Sequence, residues 1–304
     1  MGIIKLSFIL LLVLSACTIN SNKQKKKTIV CSTSIIQDCV QEIVGPEFSV
    51  KTLMGANVDP HSYNPRPSNI DELISANVVI YNGFHLEGKM PAVFEKLKSQ
   101  HHVLAVSDYY PENIRIKVDQ HAYDPHIWFH VTAWVKAMGK IKDQLIEIYP
   151  NHKKEFEENF SKWSKECLKT SDFWKRKLKE IPTKQRTLIT SHDAFHYYGK
   201  EFGVNVKALQ GISTVQEANP RDLARLIDFV YKNKINALFI ESSVNPKTIQ
   251  AVIRAVKAKG GSIKIGGMLY SDALGLKGSS ADTYIKMINY NSRQLYKGLN
   301  EKNY

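Results

Sequence analysis

The sequence has 304 residues and a formal net charge of +13, a length that suffices for two domains of ordinary size. So basic a chain invites a nucleic-acid reading. That reading is rejected, because the lysines are spread along helical stretches among glutamates and the N-terminus marks the chain for export. The four cysteines contain no Cys-x-x-Cys pair, which argues against a thiolate zinc site.

In chain order, the first segment carries Lys5 and then the apolar run Leu6 to Leu14. The run is too short to span a bilayer and has the length of a signal-peptide core. It ends in Leu14-Ser15-Ala16-Cys17. Small residues before a cysteine fit lipoprotein signal peptidase, so residues 1–16 are read as a lipoprotein signal peptide. The thiol of Cys17 is then the lipidation site and the new N-terminus, leaving 304 − 16 = 288 residues. Residues 17–27, ending in Lys25-Lys26-Lys27, read as a flexible, solvated tether. Of the remaining cysteines, Cys31, Cys39 and Cys167, at most one disulfide can form, and Cys31–Cys39 is the nearer pair in sequence.

Beyond the tether, short apolar runs alternate with helix-like stretches. Thr28 to Ser32, Val50 to Met54, Asn77 to Tyr81 and His102 to Val106 are predicted strands of a first lobe, residues 28–150. Thr187 to Thr190, Val204 to Leu209, Ala237 to Ile240 and Ile263 to Ile265 are predicted strands of a second, residues 183–304, with Gly266-Gly267 read as a turn. Between them, residues 151–182 are charged. Phe156, Phe160, Trp163, Cys167, Trp174, Leu178 and Ile181 fall on one helical face. Pro150 and Pro182 punctuate the ends, and neither Pro nor Gly interrupts the stretch, so it should be stiff. The fold class expected is α/β: two lobes with mainly parallel central sheets joined by one long linking helix.

The tripeptide Asp-Pro-His occurs twice, at Asp59-Pro60-His61 and Asp124-Pro125-His126. Proline limits motion just before each histidine, and the aspartate can accept a hydrogen bond from an imidazole or a backbone amide. Fixed histidines are what a metal site needs. His192 follows the strand ending at Thr190, and Asp272 follows the strand near Ile265. Ligands in open α/β sheets gather at the carboxyl ends of strands, where His61, His126, His192 and Asp272 should all lie. Three imidazoles and a carboxylate suit a borderline divalent ion. His85, His101, His102, His121, His130, His152 and His196 are competing histidines, and loop histidines are mostly solvated.

These residues, with the stretches around them, carry a resemblance. Leu53-Met54-Gly55 through Tyr63, Tyr81-Asn82-Gly83-Phe84-His85-Leu86-Glu87 and Asp124 through Phe129 are part of it. Ser191-His192-Asp193-Ala194-Phe195, Leu209 through Thr214, Phe239 through Ser243 and Leu269 through Gly275 complete it. Together they resemble the cluster A-I metal-binding receptors of ABC transporters, from about Thr28 to the C-terminus, and most closely the treponemal branch. The resemblance implies ligands at His61, His126, His192 and Asp272, one bound Zn²⁺ or Mn²⁺ (iron is a third candidate), and delivery to a membrane permease. It implies no enzyme activity, a monomer, and an exported protein lipid-anchored through Cys17, periplasmic or on the outer face of the cytoplasmic membrane. Glu241, closing a strand, is expected to orient a histidine. The family usually has aspartate where this chain has His130, which leaves that position's role open between helix cap, support of the site and approach to the metal. A secreted metal-dependent hydrolase and a surface adhesin are the competing functions. The sequence has no His-Glu-x-x-His or Gly-x-Ser-x-Gly.

Replacing Cys17 tests the anchor. Cys17→Ala should abolish incorporation of labelled fatty acid, and protein starting at Thr28 should keep full metal affinity. Fatty-acid labelling that persists in the variant would rule out the assigned site.

Overall fold

The computed structural model describes residues 26–215 and 219–300, so the signal peptide, Cys17 and the tether up to Lys25 lie outside the described residues. Strand β1 (Thr28–Thr33) is buried from Ile29 onward, as a strand covered on both faces should be. The Thr33 hydroxyl accepts from the Ile36 amide (3.4 Å) and starts α1 (Ser34–Val44). Ile35, Ile36, Cys39, Val40, Ile43 and Val44 form its buried face, and Gly45, at φ 72°, ends it. Then come β2 (Ser49–Met54), α2 (Pro67–Ser75), β3 (Val78–Tyr81), α3 (Pro91–Leu97) and β4 (His102–Ala105). The four strands form one parallel sheet in the order β2-β1-β3-β4. Helix α4 (Val131–Ile148) closes this lobe.

The linking helix forms as α5 (Lys153–Lys179), after a 3-10 turn at Pro150–His152. Its 27 residues span about 40 Å at ~1.5 Å each. Phe156, Trp163, Cys167, Trp174 and Leu178 are buried along one stripe, with Phe160 half-buried beside them. The stripe packs on α1 and α4 of the first lobe, and on α6 (His196–Phe202) and α9 (Tyr284–Asn300) of the second.

The second lobe contains β5 (Thr187–Thr190) paired in parallel with β6 (Asn205–Ala208), and β7 (Ala237–Glu241) paired in parallel with β8 (Lys264–Leu269). Helices α7 (Pro220–Lys232) and α8 (Lys247–Ala258) flank them. One element differs from the sequence reading. Gly266-Gly267 is not a turn: β8 runs through both glycines to Leu269, with a register shift opposite Leu238 and Phe239. The glycines serve close approach instead. A Cβ on Gly266 would lie 2.8 Å from the Phe239 ring, and one on Gly267 2.8 Å from Gln294 of α9.

The lobes share one hydrophobic core, running from Ile29 of β1 to Leu295 of α9. Polar contacts also cross between them. Leu274 N donates to Ser34 Oγ (3.0 Å), Tyr284 N to Asp38 Oδ2 (2.8 Å), and the buried Trp128 Nε1 to Ser271 O (3.0 Å). The candidate disulfide does not form: Cys31, Cys39 and Cys167 are buried free thiols, their pKa values pushed up by burial. No helix among the described residues is long and apolar enough to cross a membrane.

A shared core predicts shared unfolding. Trp163→Ala should cost about 3–5 kcal/mol and lower the midpoint of urea unfolding while keeping a single transition. Two separated transitions would show that the lobes are stabilised independently.

Candidate metal centre

The loop after β2 carries Asp59-Pro60-His61. Asp59 Oδ1 accepts from His61 N (2.9 Å), and its Oδ2 accepts from Ser62 Oγ (2.8 Å) and, across to the second lobe, from Thr214 Oγ1 (2.6 Å). This is the Asx turn that aspartate makes with the amide two residues on. Gly88 lets the loop settle, since a Cβ there would stand 2.4 Å from His61 O. The second Asp-Pro-His repeats the turn, with Asp124 Oδ1 accepting from His126 N at 3.0 Å and lying 2.8 Å from His126 Nδ1. His192 lies just past β5, and Asp272 just past β8.

All four side chains are buried, and their ligand atoms lie within 4.8 Å of one another. His126 Nε2 is 3.2 Å from His61 Nε2 and 3.3 Å from His192 Nε2. Asp272 Oδ1 is 3.4 Å from His126 Nε2, and Asp272 Oδ2 is 3.5 Å from His192 Nε2. Four ligands at about 2.0–2.1 Å from a tetrahedral ion stand about 3.3–3.4 Å apart. The four separations just given, 3.2–3.5 Å, are close to that spacing, those to Asp272 involving one of its oxygens each.

Three of the four groups, His126, His192 and Asp272, are also held from behind. Glu241 Oε1 accepts from both Ser191 N and His192 N (3.0 Å each). Its Oε2 lies 2.5 Å from His192 Nδ1, at a bend outside good hydrogen-bond geometry. Ser243 Oγ (3.1 Å) and Ser271 Oγ (3.2 Å) donate to Asp272 Oδ2, while the buried Oδ1 has no hydrogen-bond partner. The Asp124 carboxylate bonded at His126 Nδ1 favours the proton on that side and leaves Nε2 for a cation, and the negative charge of Glu241 beside His192 Nδ1 acts in the same sense.

The electrostatics follow from burial and charge. Burial pulls the His61 pKa down to about 4, with Asp272 opposing. Burial also disfavours the charged form of His126, but Asp124 and Asp272 outweigh it and raise that pKa to about 9. His192 is raised well above its usual range against burial, chiefly by Glu241 and Asp272. Asp272 is held well below the carboxylate range despite burial, first by His192.

His130 lies elsewhere. Its Nδ1 is 2.6 Å from Glu201 Oε2 at the start of α4, and it is not among the converging groups. Glu201 also accepts from Ser171 Oγ (2.6 Å) and Thr132 Oγ1 (2.8 Å), and pairs with Lys175 Nζ (2.8 Å). Burial raises the Glu201 pKa, but hydrogen bonds from His130, Lys175 and Ser171 bring it down to about 2. His130 therefore helps join α4, α5 and α6. Glu47, His152 and Glu155 also approach one another, as a surface ion-pair group. Sequence reasoning gave no role to Ser243, Ser271, Thr214 or His196. Ser243, Thr214 and His196 reach the site from segments far apart in sequence, while Ser271 adjoins Asp272, and a serine beside an aspartate marks no contact by itself.

A family model described as the periplasmic component A of a zinc-uptake complex matches residues 29–298. The manganese-binding lipoprotein MntA of Bacillus subtilis is 41% identical over 273 residues, covering 89% of this chain and 89% of that protein. The metal ABC transporter substrate-binding lipoprotein SloC of Streptococcus mutans is 29% identical, covering 98% of this chain and 99% of its own. The solved structure of the periplasmic zinc-binding protein TroA from Treponema pallidum superposes with a TM-score of 0.88 at 36% identity, over 91% of this chain and all of that one. The chain therefore belongs to the family of the periplasmic component A of zinc-uptake complexes.

Proposed function

We propose that the protein is the extracytoplasmic receptor of an ABC importer, binding one Zn²⁺ or Mn²⁺ through His61, His126, His192 and Asp272 and delivering it to the membrane permease. The observation that carries this reading is the convergence of these four buried side chains, with ligand atoms within 4.8 Å of one another and His126 Nε2 3.2 and 3.3 Å from the other two imidazole nitrogens. The names of MntA, TroA and SloC support it, pairing manganese, zinc and ABC transport with this fold. The family is one of solute-binding receptors rather than enzymes. A hydrolytic zinc site needs an open position for water, and four protein groups fill the tetrahedron. A tetrahedral nitrogen and oxygen shell binds Zn²⁺ more tightly than Mn²⁺, so supply outside the cell decides which ion is carried.

The same reading places residues 28–150 and 183–304 as the two lobes around helix-bearing residues 151–182. It has a monomer exported and held by lipid on Cys17, periplasmic or on the outer face of the cytoplasmic membrane. The naming of MntA and SloC as lipoproteins supports the anchor.

Elemental analysis of protein purified without added metal, followed by Zn²⁺ and Mn²⁺ competition, tests the reading. One ion per chain is expected. His192→Ala and Asp272→Ala should each weaken Zn²⁺ binding more than about 100-fold, since a four-ligand zinc site contributes roughly 10–16 kcal/mol. Unchanged affinity in either variant would remove that residue from the shell.

The pH dependence has a definite sign. Without an ion, His126 (about 9) and His192 hold protons at neutral pH, while His61 (about 4) does not. Loading must displace those protons. Affinity should therefore rise from pH 6 to about 9, with proton release near neutrality. Calorimetry in two buffers of different ionisation enthalpy measures that release, and its absence at pH 7 would count against a site built on these histidines.

A further inference from the structure

Behind the converging groups runs a second set of contacts that joins the lobes without passing through an ion. The two oxygens of Asp124 face different partners. Oδ1 holds His126, through both its amide and its Nδ1. Oδ2 is buried and lies 3.3 Å from Nδ1 of His196, the first residue of α6 in the second lobe. His196 Nε2 is in turn 3.1 Å from Asp193 Oδ1. Asp193 is bonded in sequence to His192. The path thus runs His126, Asp124, His196, Asp193, His192, from a histidine of one lobe to a histidine of the other.

His196 is the central member of that path and the one nearest solvent. Its side chain is 36% exposed, against 22% for Asp193 and 0% for Asp124. Together with Asp193 it lines a cavity of about 590 Å³ whose wall also includes Lys207, Gln210 and Arg225. Asp124 Oδ2, His196 Nδ1 and Asp193 Oδ1 have no hydrogen bond of good geometry, so these are charge contacts that a small ring rotation can break. The arrangement also has an electrostatic reason. Two carboxylates approach the two nitrogens of one ring from opposite lobes, and without a cationic group between them they repel. Asp124 first, and then Asp193, hold the His196 pKa above its usual range, against burial.

We propose that His196 is a positioning residue that latches the two lobes behind the metal centre, keeping the Asp124 and Asp193 carboxylates together and so slowing release of the bound ion. The proposal rests on the receptor reading above. Loss of His196 leaves Asp124 facing Asp193 with no partner between them. Asp124 then shifts, and its grip on the His126 ring loosens. Contacts of this kind behind a metal ligand change affinity about 10–100-fold.

The test uses the lipid-free chain from Thr28 onward, loaded with one equivalent of Zn²⁺. Release into excess EDTA is followed by stopped flow, with the melting temperature of each ion-free variant as a folding control. His196→Ala should release Zn²⁺ about tenfold faster than wild type. His196→Gln, which keeps one donor, should fall between the two. Adding Asp193→Asn to His196→Ala removes the repelling charge and should slow release again. A residue with only a packing role would not be rescued in this way. Release from His196→Ala within twofold of wild type would overturn the latch. So would failure of Asp193→Asn to slow release in a double variant whose melting temperature is unchanged. Wild-type protein that retains no ion would overturn the receptor reading, and the latch with it.

Discussion

Like poles brought together need something to hold them, and this site is organised by that requirement. His126 Nε2 lies within 3.3 Å of two other imidazole nitrogens, and around them stand the carboxylates of Asp272, Asp124 and Glu241. Lone pairs converging in a buried space are unfavourable until a cation or protons occupy the centre. The surrounding chain supplies the opposing force. Two Asx turns fix His61 and His126, Glu241 fixes His192 through two backbone amides, and two serine hydroxyls fix one oxygen of Asp272. An ion held there would not have to order these groups at the expense of its own binding energy.

The same principle operates at larger scale. Two groups come from each lobe, so the lobes must be held in register to within a fraction of an ångström. The shared core, the Trp128 to Ser271 bond and the Glu201 cluster joining α4, α5 and α6 provide that register. The Glu201 cluster lies next to the loop bearing His126, with only Ile127, Trp128 and Phe129 between His126 and His130. Trp128 bonds to the residue just before Asp272. The elements that set the distance between the lobes are thus immediate neighbours of the residues that use it.

Much of this was legible in the sequence, for reasons that can be named. Strand and helix alternation follows apolar periodicity, and α5 showed as a single aromatic stripe because nothing in it breaks a helix. The repeated Asp-Pro-His reported its own geometry, since aspartate bonding to the amide two residues on is a local event. His192 and Asp272 were found because strand ends are local as well. Gly266-Gly267 misled, because glycine serves close approach as readily as a turn, and only the positions of Phe239 and Gln294 decide between them. His130 and His196 were ambiguous for a related reason. The partners Glu201 and Asp124 are reached across the fold, and spacing along the chain carries no record of those contacts, while the local pair of His196 with Asp193 does not by itself mark a role.

The bond from the Tyr284 amide to Asp38 ties the start of the last helix to the first helix, 246 residues earlier. Leu274 is tied to Ser34 over a similar separation. Helix α1 is therefore completed only by the final segment of the chain. Contacts that close such long loops form late and slowly. While the chain is being made, its N-terminal lobe lacks part of the packing that would commit it to a folded state. The first lobe is finished by residues added near the end of synthesis, so its full packing and that of the second lobe are reached together.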